Sequence, residues 1–214
     1  MDYSSLWGRG KGGKPQESGL LNLDKNQLLD LTKQAPSLKR LVFAAKWDIN
    51  VPGKENFDLD ISALLLDREG RVKLGDIYTK VVYFNQRVQN GIFLEKDNLT
   101  GGNEDGDDER IDIDLEEIDP DVHEILFCVM IYNAMELRQT FGMISNSYVR
   151  LLDADNGERE LCRFELRDNA SNATAVMFAK LIRNRDGRGW SFKTIGEPLV
   201  VTDLNQILLR FIKD

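Results

Sequence analysis

The sequence is poor in the residues from which many metal centres and hydrolases are built. It contains one histidine, His123, and two cysteines among 214 residues. Structural zinc sites take their ligands chiefly from cysteine and histidine, so neither a zinc cage nor a histidine-rich catalytic zinc site is expected. His123 can serve one role at most, and its place beside an apolar strand predicts a satisfied surface histidine. Cys128 and Cys162 lie inside apolar runs, which favours buried free thiols over a disulfide.

Long hydrophobic runs are lacking too. No apolar stretch reaches the roughly 18 residues that a helix needs to cross a bilayer. Residues 1–20 are polar and glycine-rich, without the apolar core of a signal peptide. These features predict a cytoplasmic protein, with association at the inner face of a membrane as an alternative.

Negative charge exceeds positive charge, and it is concentrated in one segment. The formal net charge is −8, which argues against a nucleic-acid partner. Residues 97–121 contain twelve Asp or Glu and one opposing base, Arg110. Such a run is either a solvated loop or a cation site, because hard divalent cations prefer clustered carboxylate and amide oxygens, with glycines that let the backbone turn around the ion. The sequence leaves both alternatives open.

Short strands separated by turns account for most of the remaining chain. Their spacing predicts an all-β fold, an antiparallel β-sandwich with short helical segments. Residues 203–212 differ, because their apolar side chains recur at helical spacing behind a candidate N-cap, Asp203. We expect strands at 39–49, 57–67, 80–86, 91–97, 111–115 and 124–132, and hairpins around the turns 153–159 and 184–188.

Two carboxylates lie two residues apart on one predicted strand. In FDLDISALLLD, Asp58 and Asp60 project from the face opposite Leu59 and Ile61. Carboxylates about 7 Å apart along a strand can share one calcium ion or each bind a neighbouring ion. Ordinary alternation of polar and apolar residues gives the same pattern.

Six segments together resemble the TerD family of bacterial tellurium-resistance and stress proteins. They are, in order, KWDIN, FDLDISALLLD, VVYFNQ, DNLTGGNEDGDDERIDIDLEEID, RQTFGMISNSYVRLLD and LRDNASNATAVMFAKLIR. The resemblance covers residues 22–197, which it identifies as a TerD-like β-sandwich domain. It leaves residues 1–21 as a flexible N-terminal extension and 198–214 as a C-terminal amphipathic helix.

The resemblance implies a calcium-binding protein without catalytic residues. It implies two Ca²⁺ ions, bound in loops at one end of the sandwich by acidic residues of the matching segments. On this sequence the ligands would be Asp58 and Asp60 from FDLD, Asp97 and Asn98 from DNLTG, and Asp107, Asp108 and Glu109 from GDDE. Which of Glu104, Asp105 and Asp107 reaches an ion is left open.

Four hypotheses of function follow. The first is calcium-dependent association with other proteins of a tellurite-resistance, stress or phage-defence system, without enzymatic activity. The second is a module that docks on the inner membrane face through calcium. The third is a metal-dependent phosphohydrolase that uses the same carboxylates, although no general base is evident. The fourth is an acidic mimic of nucleic acid.

Overall fold

Two six-stranded antiparallel sheets form the body of the protein, confirming the predicted sandwich. The structure is a computed structural model that describes residues 28–31, 38–48, 56–95, 97–102, 106–186 and 188–213. The N-terminal extension predicted over residues 1–21 lies outside these ranges.

The first sheet contains the strand that bears Asp60. Its strands are, in spatial order, β1 (Leu28–Asp30), β13 (Trp190–Leu199), β12 (Ala175–Arg183), β9 (Glu124–Ile131), β3 (Leu59–Leu66) and β5 (Val81–Val82). The predicted strand 80–86 is limited to β5, because Tyr83 and Gln86 exchange backbone hydrogen bonds and close a turn.

The second sheet contains the distal half of the acidic run. Its strands are, in spatial order, β11 (Arg159–Glu165), β10 (Tyr148–Asp153), β2 (Arg40–Lys46), β8 (Glu109–Asp114), β7 (Ile92–Leu94) and β6 (Val88–Gln89). Both predicted hairpins are present, as β10–β11 and β12–β13. A separate short parallel pair joins β4 (Val72–Lys73) to β14 (Ile212–Lys213).

The main core lies between the two sheets and follows the alternation of the strands. Leu59, Ile61 and Ala63 of β3 point into it, as the sequence predicts. The ring of Phe43, in β2 of the second sheet, lies across the core 4.8 Å from that of Phe127, in β9 of the first sheet. Burial of these apolar faces is the main source of stability in such a sandwich.

A second apolar cluster covers the outer face of the first sheet. Leu64 and Leu66 of β3 belong to it and pack with the C-terminal segment. Helix α3 (Leu204–Leu208) buries Ile207 and Leu208 there, after helices α1 (Ala134–Leu137) and α2 (Leu166–Asn169) earlier in the chain. The helical pattern of the sequence therefore marks the element that covers this face.

This helix is shorter than the predicted 203–212. The side chain of Asp203 accepts a hydrogen bond from the backbone N–H of Gln206, which confirms the N-cap. After α3 the chain continues as a 3-10 helix at Leu209–Phe211 and then as the strand β14. Pairing of β14 with β4 gives these last residues backbone partners that a longer helix would not reach.

The structure confirms the prediction for the two cysteines and modifies that for the histidine. Cys128 and Cys162 are buried free thiols, as predicted. Burial raises the pKa of the Cys128 thiol to about 12, so it remains protonated and unreactive. His123 is half-buried, and its backbone N–H donates to the carbonyl of Leu66. No helix within the described residues is long and apolar enough to cross a bilayer.

Truncating Ile207 should destabilise the protein, whereas truncating its exposed neighbour should not. Ile207 is fully buried and Leu209 is 64% exposed. We expect Ile207→Ala to lower the free energy of unfolding by about 2–4 kcal/mol, and Leu209→Ala to change it by less than about 0.5 kcal/mol. Urea denaturation of both variants measures the difference. Equal costs would mean that α3 is not packed on the sheet.

Candidate metal centre at one end of the sandwich

Three carboxylates meet at the end of the sandwich where β3 begins. Asp58 directly precedes β3, and its carbonyl accepts a hydrogen bond from the backbone N–H of Tyr132, just after β9. Asp60 lies in β3, and Asp97 follows β7 in the other sheet. Their carboxylate oxygens lie within 4.8 Å of one another, so residues from both sheets face one point.

Two oxygens of this cluster are buried and have no hydrogen-bond partner among the residues that the structure describes. They are Oδ1 of Asp58 and Oδ2 of Asp60. Asp60 is only 7% exposed, whereas Asp97 is exposed. An unpaired buried carboxylate oxygen is costly, so two of them in one cluster make it a candidate position for a cation.

The environment of these carboxylates disfavours their charge. Burial, followed by the nearby charge of Asp97, raises the pKa of Asp58 to about 6. Burial, followed by the charges of Asp58 and Asp97, raises the pKa of Asp60 to about 8. A divalent cation at the cluster would relieve both the repulsion and the desolvation, because it supplies the opposite charge at contact distance.

Glu109 lies against the cluster and connects it to both sheets. One carboxylate oxygen accepts from the backbone N–H of Ile61 at 2.9 Å, and the other from that of Asn98 at 3.1 Å. Burial is the largest influence and raises the pKa of Glu109 to about 9, although these two hydrogen bonds oppose the rise. Glu109 therefore holds β3 and the loop beside Asp97 next to each other.

The loop that carries Asp97 is organised by Asn98. The side-chain oxygen of Asn98 accepts from the backbone N–H groups of Thr100 and Gly101, and its amide nitrogen donates to Asp108. The other carboxylate oxygen of Asp108 accepts from the backbone N–H of Trp47 at 2.8 Å. Asn98 and Asp108 thus support the loop through hydrogen bonds.

The same loop packs against the indole of Trp47. Gly101 has φ +72°, and a Cβ built on it would lie 2.3 Å from Nε1 of Trp47. The backbone N–H of Gly102 donates to the carbonyl of Trp47 at 2.9 Å. The indole N–H itself donates to the carbonyl of Phe57, next to Asp58. Trp47 therefore joins both acidic segments, and only glycine fits at position 101.

Asp107 is engaged by an arginine from another strand. Both of its carboxylate oxygens accept from the guanidinium of Arg150, at 2.9 and 3.0 Å. Arg110 approaches the same carboxylate at 3.7 Å and also pairs with Glu158. These arginines neutralise part of the acidic run on the outer face of the second sheet.

The structure thus divides the seven predicted ligands by their surroundings. Asp58, Asp60 and Asp97 form the cluster, with Glu109 beside it, whereas Asn98, Asp107 and Asp108 make hydrogen bonds or ion pairs within the loop and sheet. Glu104 and Asp105 lie outside the described residues. The donor set suits Ca²⁺, a hard cation that takes about six to eight oxygen ligands, so three carboxylates leave further positions for other oxygens.

Sequence reasoning missed three contributors to this end. Trp47, which follows β2, and Arg150 in β10 organise the acidic segments from outside them. Both lie in segments that carry the family resemblance, but spacing alone does not mark their contacts with the acidic residues. Gln139 is buried, with Nε2 donating to the carbonyl of Asn56 and Oε1 without a hydrogen-bond partner among the described residues. It lies in a segment that carries the family resemblance, but nothing in the local pattern predicts that it is buried.

Replacing Gly101 should impair the cluster without changing any carboxylate. Gly101→Ala places a methyl group against Trp47 and strains a positive φ, so the loop bearing Asp97 must move. We expect a loss of roughly tenfold or more in divalent-cation affinity, equivalent to about 1.4 kcal/mol, measured by calorimetry. Gly75→Ala is the matched control, because nothing lies within 4 Å of its added Cβ. Unchanged affinity in Gly101→Ala would show that the loop does not position a ligand.

Comparison with known proteins points to one family. The TerD domain model matches residues 20–211. The chain is 35% identical over 176 residues to a tellurium resistance protein TerD from Alcaligenes sp., covering 82% of this chain and 89% of that protein. It is 32% identical over 204 residues to the stress response protein SCP2 of Bacillus subtilis (strain 168), covering 90% and 99% respectively.

A solved structure agrees with the architecture. A homologue of the telluride resistance protein TerD from Streptomyces coelicolor A3(2) superposes with a TM-score of 0.66 at 25% sequence identity. The match covers 77% of this chain and 92% of that one. The domain match, the relatives and the shared fold together establish that this chain belongs to the TerD family of tellurium-resistance and stress-response proteins.

Proposed function

We propose that the protein binds calcium at the Asp58–Asp60–Asp97 cluster and acts without catalysis, through calcium-gated association with another component of its resistance or stress system. The observation that carries this proposal is the pair of buried, unpartnered oxygens on Asp58 and Asp60. They converge with Asp97 within 4.8 Å, which is a costly arrangement unless a cation binds there.

In this proposal the predicted ligands have different roles. Asp58, Asp60 and Asp97 supply oxygens to the ion, and Glu109 holds β3 and the neighbouring loop in place through its two hydrogen bonds. Asn98 and Asp108 hold the loop, and Asp107 pairs with Arg150. The second ion implied by the family resemblance stays a prediction.

Calcium would act as a switch of charge at this end. The chain carries a formal charge of −8, and the cluster concentrates carboxylates at one surface. A bound Ca²⁺ offsets two of these charges and can complete its shell with an oxygen from another molecule. Binding of the ion therefore changes what this surface attracts.

Association is favoured over catalysis by what surrounds the cluster. His123 lies at the far end of β3, beside Leu66. The eight-residue strand puts it roughly 26 Å from Asp58, too far for a general base at the cluster. The relatives named above carry resistance and stress names. A metal-dependent phosphohydrolase remains the alternative for the same carboxylates.

Calcium should raise the melting temperature through this cluster. Ligand at about 100 times its Kd adds roughly 2.7 kcal/mol per site, or about 5–10 °C for a chain of this size. Asp58→Asn/Asp60→Asn should abolish this rise while the calcium-free protein stays folded, because carboxylate repulsion is relieved. Asp112→Asn is the matched control, since Asp112 is also buried but pairs with Arg110 away from the cluster.

Thermal melting in calcium, magnesium and EDTA, together with a phosphoester hydrolysis assay, distinguishes calcium-gated association from enzymatic activity. A melting curve that is the same in calcium and in EDTA would contradict the metal site. An equal response in Asp58→Asn/Asp60→Asn and wild type would place the ion elsewhere. Hydrolysis of a phosphoester in magnesium, lost in that double variant, would support the enzyme instead.

Partners should be recovered only with calcium. We expect other proteins of the resistance or stress system, or membrane fragments, to co-purify with the wild type in calcium and to be released by EDTA. Asp58→Asn/Asp60→Asn should recover neither, and Asp112→Asn should behave as wild type. Equal recovery in calcium and EDTA would contradict gating, whatever the identity of the partner.

A further inference from the structure

Exposed apolar side chains are concentrated at the end that carries the cluster. Most large apolar residues of the described chain are buried, and the exposed ones cluster in a few places. We define the apolar rim as six of them that are between 38% and 65% exposed: Leu99, Tyr132, Met135, Leu137, Met143 and Val200. Because exposed apolar groups gathered at one site mark contacts with partners or membranes, this rim calls for an explanation.

Strand topology places all six at the same end. The pairing of Leu59 with Ile131 puts the start of β3 beside the end of β9, and the rim residues of α1 follow there. The pairing of Ala175 with Leu199 puts Val200 at this end as well. Met143 lies at this end too, because the backbone N–H of its neighbour Gly142 donates to the carbonyl of Ser171, shortly before β12 begins.

The rim adjoins the carboxylates directly. The backbone N–H of Tyr132 donates to the carbonyl of Asp58 at 2.8 Å, and Leu99 lies two residues after Asp97. The ring of Tyr132 packs edge-on against Phe84, with centroids 5.9 Å apart, which holds it at the surface. Apolar groups therefore stand on two sides of the acidic cluster.

Among the described residues at this end, two exposed basic side chains each have an acidic neighbour. Arg138 and Arg167 are exposed there, but so are their neighbours Glu136 and Asp168. Without a cation, the carboxylate cluster repels an anionic surface. With calcium bound, two of the carboxylate charges are offset, and the open coordination positions of the ion can accept anionic oxygens beside the apolar side chains.

We propose that this end of the sandwich docks on an anionic phospholipid surface, with the calcium ion of the proposed function meeting lipid phosphate and the apolar rim entering the headgroup layer. The inference rests on that calcium site and names the partner it would face. Phosphate oxygens can fill the coordination positions that three carboxylates leave open, and the rim supplies apolar burial that calcium alone cannot.

The form of the rim favours a lipid surface over a protein. Its members come from four separate segments: the loop at 97–102, the turn and helix at 132–137, the 3-10 helix Phe141–Met143 and the end of β13. A lipid interface adapts to scattered tips, whereas a protein partner must match their shape. Tyrosine and arginine side chains are also suited to the headgroup region, where an apolar body meets a polar tip.

Vesicle sedimentation tests the proposal with the full chain. Vesicles of phosphatidylcholine alone and of phosphatidylcholine with phosphatidylglycerol are compared in calcium, magnesium and EDTA. We expect binding only with phosphatidylglycerol and calcium together. Leu99→Ser/Met135→Ser should weaken that binding on the order of tenfold or more, because each removes apolar area from the interface.

A matched variant separates the rim from general surface hydrophobicity. Leu74→Ser/Leu209→Ser removes side chains of similar exposure, 63% and 64%, that lie away from the rim, and it should bind vesicles as wild type does. Equal weakening in both double variants would overturn the proposal.

Calcium-dependent melting of the same samples reports on the calcium site separately. A preserved melting rise without vesicle binding would overturn the lipid proposal and leave the calcium site standing. Recovery of a protein partner that depends on Leu99 and Met135, again without vesicle binding, would assign the rim to protein association. Loss of the melting rise itself would overturn the proposed function and the lipid contact together.

Discussion

The burial of carboxylates at one end of the sandwich is the constraint on which the surrounding structure depends. A buried carboxylate must be paired, hydrogen-bonded or protonated, and each of these residues meets the requirement differently. Glu109 accepts two backbone N–H groups, Asp108 accepts one from Trp47, and Asp107 pairs with Arg150. Asp60 has an oxygen with no partner among the described residues. Among these buried carboxylates, the oxygen without a partner therefore lies in the cluster.

The two outer faces of the sandwich are covered in different ways. Apolar side chains of the C-terminal segment cover the first sheet. Ion pairs cover the second, where Arg110 and Arg150 lie on either side of Ala44 in the strand register. The methyl group of Ala44 leaves room for both guanidinium groups above the sheet. This arrangement gives Asp107 and Asp112 positive partners beside β8, a central strand within the acidic run.

The sequence could predict what depends on local periodicity. The alternation in β3, both hairpins and the N-cap at Asp203 follow from spacing along one segment, and the structure confirms them. It could not predict that Arg150 would reach Asp107, since these residues are 43 positions apart. Asp112 illustrates the same limit. It alternates with the core residues Ile111 and Ile113 and so points away from the core, yet it is only 4% exposed because Arg110 and its partners cover it.

The C-terminal helix shows why periodicity can be right about burial and wrong about length. Leu204, Phe211 and Ile212 all pack at the second cluster, as a helix over 203–212 would require. The backbone reaches that arrangement by changing from α-helix to 3-10 helix to strand. The pairing partner, β4, lies about 140 residues earlier, so no local signal marks where the helix ends.

The position of the cluster also determines what an ion would do to the fold. Asp58 and Asp60 belong to the first sheet, whereas Asp97 follows a strand of the second. A cation bound by all three joins the sheets at the end where Glu109 already connects β3 to the loop. Its stabilisation would therefore be concentrated at this end, in the loop and the turn after β9, because local opening is governed by local contacts. Since four of the six residues of the apolar rim lie in that loop and in the turn and helix after β9, calcium would order this part of the surface at the same time as it changes its charge.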